Sequence, residues 1–379
     1  MSLRPAPLRG RYRGRTSLSG LSPLVLVPLC TGLFWVSLML LLRLLPGSFV
    51  SRFVIPVSRL LSLPVKFVSN LLPFCLLELL LGIPLAALGL LLWDLLRRKS
   101  SSGRSRDADA DSWGGFWALL STALSVFFVM MSVFQLTLGV GYHTLTLEEQ
   151  LGYPETDVTA RSIADTAQLL AERAASLRSQ ADYEGRTVKG YGKQLREAYR
   201  TLGESFPVYR GYASRPKGAL LSTVMSHLGI GGLYSPFTCE AVINTDCTPP
   251  SLPFTVAHEM SHSLLVAREE EANFSAFLAC SSCDDAALQY SAYFMGLLYT
   301  CSAYYQADFE GYRTFYFSLD EGVRDDLIAY SEHVSGYDGW VNDLQSHIND
   351  ILLKSNGQQH GVESYGLMVN LLVAWQAAQ

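Results

Sequence analysis

Three long apolar runs in the first part of this 379-residue chain decide most of what it can fold into. They extend from about Leu24 to Leu45, from about Leu71 to Leu96 and from about Phe116 to Val140. A helix crosses the hydrocarbon core of a bilayer with about 20 predominantly apolar residues, so each run is long enough to span. The first run is too long for the apolar part of a cleaved leader, and no small-residue cleavage site follows it. Apolar residues make up 49% of the chain and charged residues only 17%, and the excess is concentrated in these runs. The formal net charge of −5 is mild, which argues against a nucleic-acid partner.

The basic residues orient the runs. Arg4, Arg9, Arg11, Arg13 and Arg15 precede the first; Arg97, Arg98, Lys99, Arg104 and Arg106 follow the second. Both clusters are expected on the cytoplasmic side. The runs then go out, back in and out again, and everything after the third lies outside the cytosol. The loop from Pro46 to Asn70, with Arg52, Arg59 and Lys66, is expected on the outer surface as an amphipathic segment. Ser100 to Asp107 reads as a flexible linker. The expected organisation is a basic cytoplasmic tail over 1–23, a three-span region over 24–140 with a cytoplasmic linker at 97–113, and an extracytoplasmic domain over 141–379. The localisation that follows is a multi-pass membrane protein with the lipid bilayer as its first partner.

From Tyr142 the composition becomes that of a globular domain. Apolar spacing predicts helices over Glu155–Ala181 and Val188–Leu202, then over Thr255–His262 and Glu269–Ser282, with more helices to follow. Ala241-Val242-Ile243 reads as a strand. The run Thr238 to Asn244 could be an edge strand that binds an extended peptide, or an ordinary sheet strand. Seven cysteines are present. Cys239–Cys247 and Cys280–Cys283 could form short disulfides outside the cytosol, or all four could be free thiols.

The chemistry lies in His258-Glu259-Met260-Ser261-His262. On a helix His258 and His262 share one face, one turn apart, and can bind one Zn²⁺. Glu259 beside the first histidine can then act as general base toward a water at the metal. A partly buried helix with two satisfied histidines is the plainer alternative. A catalytic zinc needs a third protein ligand and an open position. A continuous helix would carry Glu269 about 10 Å along its axis from His262, so the chain must turn within Ser263–Ala267. Leu265 stands where that turn would favour glycine. His227, His333, His347 and His360 are read as surface or core histidines. Tyr290, Tyr293 and Tyr365 could stabilise an oxyanion, although core packing is the better reading.

Downstream, Glu269 and Asn273 are four residues apart, and the segment resembles the E-x-x-x-[DN] helix of the thermolysin-like gluzincins. That resemblance implies Glu269 as the third ligand and Asn273 as a residue orienting His258. Glu271 is the alternative ligand, and Glu270 is read as solvated. More broadly, the sequence resembles a group of bacterial membrane proteins, largely from Firmicutes and Bacteroidetes, catalogued as a domain of unknown function, number 3810. The runs that carry the resemblance are Tyr234–Thr238 with Glu240, Leu252–Glu259, Arg268–Phe274, and Leu353–Gln358 with Gly361–Gly366. The chain departs from the group at Leu265 and Cys239, where glycine is usual. The resemblance implies a zincin-like membrane peptidase.

The expected architecture is therefore an α-helical anchor of three transmembrane helices followed by a mostly helical α+β zincin-like metallopeptidase domain. The expected function is zinc-dependent hydrolysis of peptide bonds outside the cytosol, with a peptide or protein as substrate. Two alternatives stand beside it. One is a non-catalytic envelope assembly protein with a structural or absent metal; the other is a zinc amidase acting on cell-wall peptides.

Overall fold

The computed structural model describes residues 22–99, 109–337 (apart from 155), 339 and 367–379. The basic tail, most of the linker after the second run, His347, His360, Tyr365 and the run Leu353–Gly366 lie outside the described residues. Helix α1 is Pro23–Leu44; α2 (Gly47–Phe49) passes through a π-helical turn (Val50–Val54) into α3 (Ile55–Leu71); α4 is Leu76–Lys99 and α5 is Asp109–Thr137. Among the described residues, three helical stretches are long and apolar enough to cross a membrane: Pro23–Leu44, Gly47–Leu71 and Gly115–Thr137. The first and third coincide with expected spans, and the second expected span falls on α4.

The segment expected as a surface loop is helical throughout. Its amphipathicity is inverted. Ser58, Ser62, Lys66 and Ser69 of α3 are buried at helical spacing, while Val57, Leu60, Leu61, Phe67 and Val68 are exposed. Polar residues at every turn lower the mean hydropathy, which is why the segment reads as a loop. They lie instead against the rest of the protein.

The chain packs as two units. One comprises α1 up to Leu38 and α5 up to Ser132; Gly32 there leaves room for Phe128, and Trp35 stacks near Phe127 and Phe128. The other joins Met39–Ser102 to Val133–Gln379, so α3 belongs with the carboxy-terminal part.

Within this second unit follow α6 (Leu147–Leu151), α7 (Ala160–Arg178), α8 (Val188–Ser205), β1 (Pro216–Gly218), α9 (Ser222–His227), β2 (Gly232–Ser235) and β3 (Glu240–Ile243). After them come α10 (Leu252–Ser263), α11 (Glu269–Ser281), α12 (Ala286–Ala307), α13 (Phe309–Ser318), α14 (Glu321–Ser335) and α15 (Leu367–Ala377). The long helix α12 packs against α7, α10 and α11, and Met260, Phe274, Phe277, Leu288 and Phe294 meet in the core between them.

The sheet is small, with order β1-β3-β2. β3 is parallel to β1 and antiparallel to β2. Of the two readings of Thr238–Asn244, the ordinary sheet strand holds: β3 is central, because both of its sides are paired, and the edge facing the site is β2. The buried carboxylate of Glu240 at the start of β3 pairs with Lys217 and accepts from the Leu76 and Leu77 amides at the start of α4. Lys217 also donates to the carbonyls of Ser69 and Phe74. All seven cysteines are free, so of the two readings of Cys239, Cys247, Cys280 and Cys283 the free thiols hold.

Candidate metal centre

Helix α10 begins with Pro253 in its first turn, where a missing amide costs nothing, and buries Phe254, Val256, Ala257 and Met260. That burial fixes its rotation and turns the other face, with His258, Glu259 and His262, toward a cavity of about 620 Å³. The helix ends in a Schellman motif. The Leu265 amide donates to His262 and the Val266 amide to Ser261. Leu265 takes the left-handed position with φ 71°, and Cys239 is the other non-glycine residue with positive φ among the described residues, at 52°. The two departures from the usual glycines thus sit where glycine is conformationally favoured, at a cost of about 1–2 kcal/mol each.

This tight stop returns the chain so that α11 starts at Glu269 beside α10. His258 Nε2 lies 3.1 Å from His262 Nε2. Glu269 Oε2 is 3.3 Å from His258 Nε2, and its Oε1 is 3.6 Å from His262 Nε2. These three donor atoms fall within 4.8 Å of one another and could hold one metal ion. Tetrahedral zinc with bonds of about 2.0–2.1 Å would separate its ligand atoms by about 3.3 Å, so the donor set fits the ion.

Glu271 faces elsewhere. Its Oε1 accepts from the Leu147 amide at 2.7 Å and from Arg268 at 2.8 Å. Arg268 in turn donates to the carbonyls of Tyr142 and Thr144. Asn273 is buried and lines the cavity, but the hydrogen bond to His258 implied by the gluzincin resemblance is not made. The Asn273 Oδ1 accepts from Tyr299 at 3.5 Å, and His258 Nδ1 and Asn273 Nδ2 are each buried without a partner.

The turn that places Glu269 is held at four successive carbonyls. Lys66 donates to Ser263 O at 2.5 Å, and Arg59 donates to Leu264 O at 2.9 Å. Gly141 packs directly on Leu265 O, where a Cβ would fall at 2.4 Å. Val266 O lies 2.7 Å from His262 Nδ1, which orients that ring and directs Nε2 at the cluster. Two of these four contacts come from α3. Lys66 and Arg59 place positive charge at the negative end of the α10 dipole.

The electrostatics follow from burial and proximity. Burial pushes the Glu259 carboxyl up from its ordinary value, although the two histidines pull the other way. Burial alone would lower His262, but the Glu269 carboxylate outweighs it and raises the imidazole to about 9. Glu269 is correspondingly held well below the carboxylate range, because His262 and His258 overcome its own burial. Glu259 lies against β2, where a side chain on Gly232 would come within 2.6 Å of the carboxylate. A larger residue at that position would displace the Glu259 carboxylate. Tyr142, Tyr299 and Tyr330 also line the cavity, and no local sequence signal marks them. Tyr290 is instead bonded to Asp326, Tyr293 packs on Phe277, and His227 and His333 pack against Tyr337.

Fold and site together define a mostly helical protein with long apolar helices and, among the described residues, one convergent histidine–histidine–glutamate cluster. The chain belongs to the family described as protein of unknown function (DUF3810), whose model matches residues 56–373. Comparison with the curated proteins and with the solved structures finds no significant match.

Proposed function

We propose that the chain is a membrane-anchored, zinc-dependent, zincin-like metallopeptidase acting outside the cytosol. The observation that carries this reading is the convergence of His258, His262 and Glu269 at ligand-to-ligand spacing beside the buried Glu259. His258, His262 and Glu269 would hold Zn²⁺. Bound there, the ion supplies Lewis-acid chemistry, lowering the pKa of water and polarising a carbonyl. Glu259, raised by burial, is suited to take a proton from the attacking water and pass it to the leaving amine. The edge of β2 beside the cavity suits an extended peptide, whose backbone would pair with Gly232–Ser235. A protein segment and a cell-wall peptide would both meet that description.

Helix α3 supports the topology. The π-helical turn before it and its own last turn are tied to the same unit, Ser51 accepting from the Leu145 amide and the Ser69 carbonyl accepting from Lys217. It thus lies along the domain, leaving α1, α4 and α5 as the crossings. Alkaline phosphatase fused after Gln379 is expected to be active, and activity of a cytosol-only reporter there would reverse the topology. For the chemistry, Glu259→Gln should keep stoichiometric zinc yet lose peptide hydrolysis. Loss of the metal would make Glu259 a ligand or structural residue, and full activity would remove it as the base.

A further inference from the structure

A second cavity, of about 870 Å³, lies on the other side of the turn that ends α10, between α3 and the loop before β1. Four cations line it: Arg52, Arg59 and Lys66 from the α2–α3 segment, and Arg210. None of the four is ion-paired among the described residues. The one lining carboxylate, Glu271, is already taken by Arg268 and the Leu147 amide. Lys66 and most of Arg59 are committed to carbonyls, but the Arg59 Nε is buried with no acceptor. Arg210 uses only its Nε, on the Gly203 carbonyl, and Arg52 lies over the Phe53 ring. Guanidinium donors are therefore available at the cavity, with a net positive charge behind them that no carboxylate among the described residues pairs.

The rest of the lining is apolar, and it is continuous with a larger surface. Leu60 is 65% exposed and Leu63 39% exposed at the cavity edge. They adjoin the outward face of α3, on which Val57, Leu61, Phe67, Val68 and Leu71 are also exposed. A free inorganic anion would answer the arginines and leave the leucines in water. A neutral apolar molecule would do the reverse. Only an amphiphile with an anionic head satisfies both.

We propose that this groove binds an anionic phospholipid. The phosphate meets Arg52 and Arg210, near the orphaned Arg59 Nε, and an acyl chain runs along Leu60 and Leu63. This rests on the membrane reading of α3 but not on the zinc chemistry, so an inactive peptidase would leave it standing. Guanidinium–phosphate pairs are charge-assisted and bidentate, which makes arginine the fitting recognition residue. The lipid would also sit one residue layer from the Leu264–Val266 turn, tying the metal site to the membrane surface.

The test uses the full-length protein in neutral detergent, titrated with phosphatidylglycerol, phosphatidylcholine or inorganic phosphate and read by native mass spectrometry and by the unfolding midpoint. Phosphatidylglycerol should bind about ten-fold tighter than phosphatidylcholine and raise the midpoint, while inorganic phosphate does neither. The double variant Arg52→Gln/Arg210→Gln, at two exposed positions outside the metal site, should lose about ten-fold in phosphatidylglycerol affinity, with its lipid-free midpoint lowered only by the lost Arg210–Gly203 hydrogen bond. Leu60→Asp should lose as much through repulsion of the chain and headgroup. Equal binding of phosphatidylcholine overturns the proposal, as does stabilisation by inorganic phosphate alone. So does wild-type phosphatidylglycerol affinity in these variants.

Discussion

Replacing Gly141 by alanine tests whether the metal site depends on the turn after α10. The φ of Gly141 is not positive, so alanine meets no backbone strain and acts only by volume. Its Cβ would fall 2.4 Å from Leu265 O, 2.7 Å from the Ala267 Cβ and 3.2 Å from the Ala267 amide. Real Cβ atoms essentially never come closer than 3.0 Å, and ordinary contact begins at 3.4 Å. The turn must therefore retreat by 0.6 Å to escape the clash and by 1.0 Å to relax, since 2.4 Å separates them now. The obstacle is backbone, which cannot swing aside as a side chain would. Overpacking of this kind costs about 1–3 kcal/mol, or roughly 2–4 °C of midpoint for each kcal/mol in a domain of this size. Glu269 begins two residues beyond Ala267. Sites of this kind need positioning within about 0.5 Å, and a 1 Å misplacement can cost about 100-fold. Zinc affinity should accordingly fall by about 10–100-fold. A competition titration against a chromophoric chelator measures this, with unfolding followed in EDTA so that metal does not contribute to the midpoint. Gly152→Ala is the control: its φ of 71° makes alanine costly, but nothing lies within 4 Å, so stability falls while zinc affinity holds. A folded Gly141→Ala protein with wild-type zinc affinity would refute the reasoning.

Three further outcomes follow from the site. Glu269→Ala should abolish tight zinc binding, whereas Glu271→Ala should keep the metal but lose roughly 3–5 kcal/mol of stability by stranding Arg268; zinc titration and denaturant unfolding of the two variants separate these roles, and the reverse pattern would make Glu271 the ligand. Lys66→Met removes donors from the carbonyls of Ser263 and Tyr212, worth about 1–3 kcal/mol each. It also removes a buried charge whose desolvation costs several kcal/mol, so the midpoint should move little while zinc affinity drops, and unchanged affinity would count against the role of α3. With His262 raised to about 9, the metal-free protein carries a proton that zinc must expel. Zinc affinity should therefore rise about ten-fold per pH unit between pH 6 and 8, and the His262–Glu269 pair should stabilise the metal-free fold fully between about 4.5 and 6.5, less as pH rises through about 9 and less again as it falls below about 4.5. A flat affinity profile would remove the pair.

What could be read from the sequence was local. His258 and His262 are one turn apart on any helix, so their meeting needs no tertiary information. The long apolar helices α1 and α5 and the helices α7, α8, α10 and α11 follow from composition or 3.6-residue spacing. The need for a turn before Glu269 also follows from helix rise alone. The sheet order does not, because Ala241-Val242-Ile243 has the same alternation at an edge or at the centre. Tyr142, Tyr299 and Tyr330 reach the cavity only through packing. Asn273 sits as expected on the Glu269 helix, yet its amide bonds Tyr299, a partner no spacing rule names.

The segment hardest to read was α3, and the reason is physical. Hydropathy averaging assumes that the polar face of a helix meets water and the apolar face meets protein. In α3 the buried stripe is Ser58, Ser62, Lys66 and Ser69, and the exposed stripe is apolar. A buried lysine without a carboxylate partner is costly, so its place must be fixed by something that accepts positive charge. Here that is the carbonyl end of α10. The same end carries Leu265 in a left-handed conformation that costs free energy and persists only where its surroundings over-determine it. Lys66, Arg59 and Gly141 are those surroundings, and all three precede Tyr142. The carboxy-terminal part alone would keep both histidines and Glu269 in its sequence. It would lose the contacts that hold the turn between them, and with those the spacing that suits one metal ion. Helix α3 is in this sense part of the metal site.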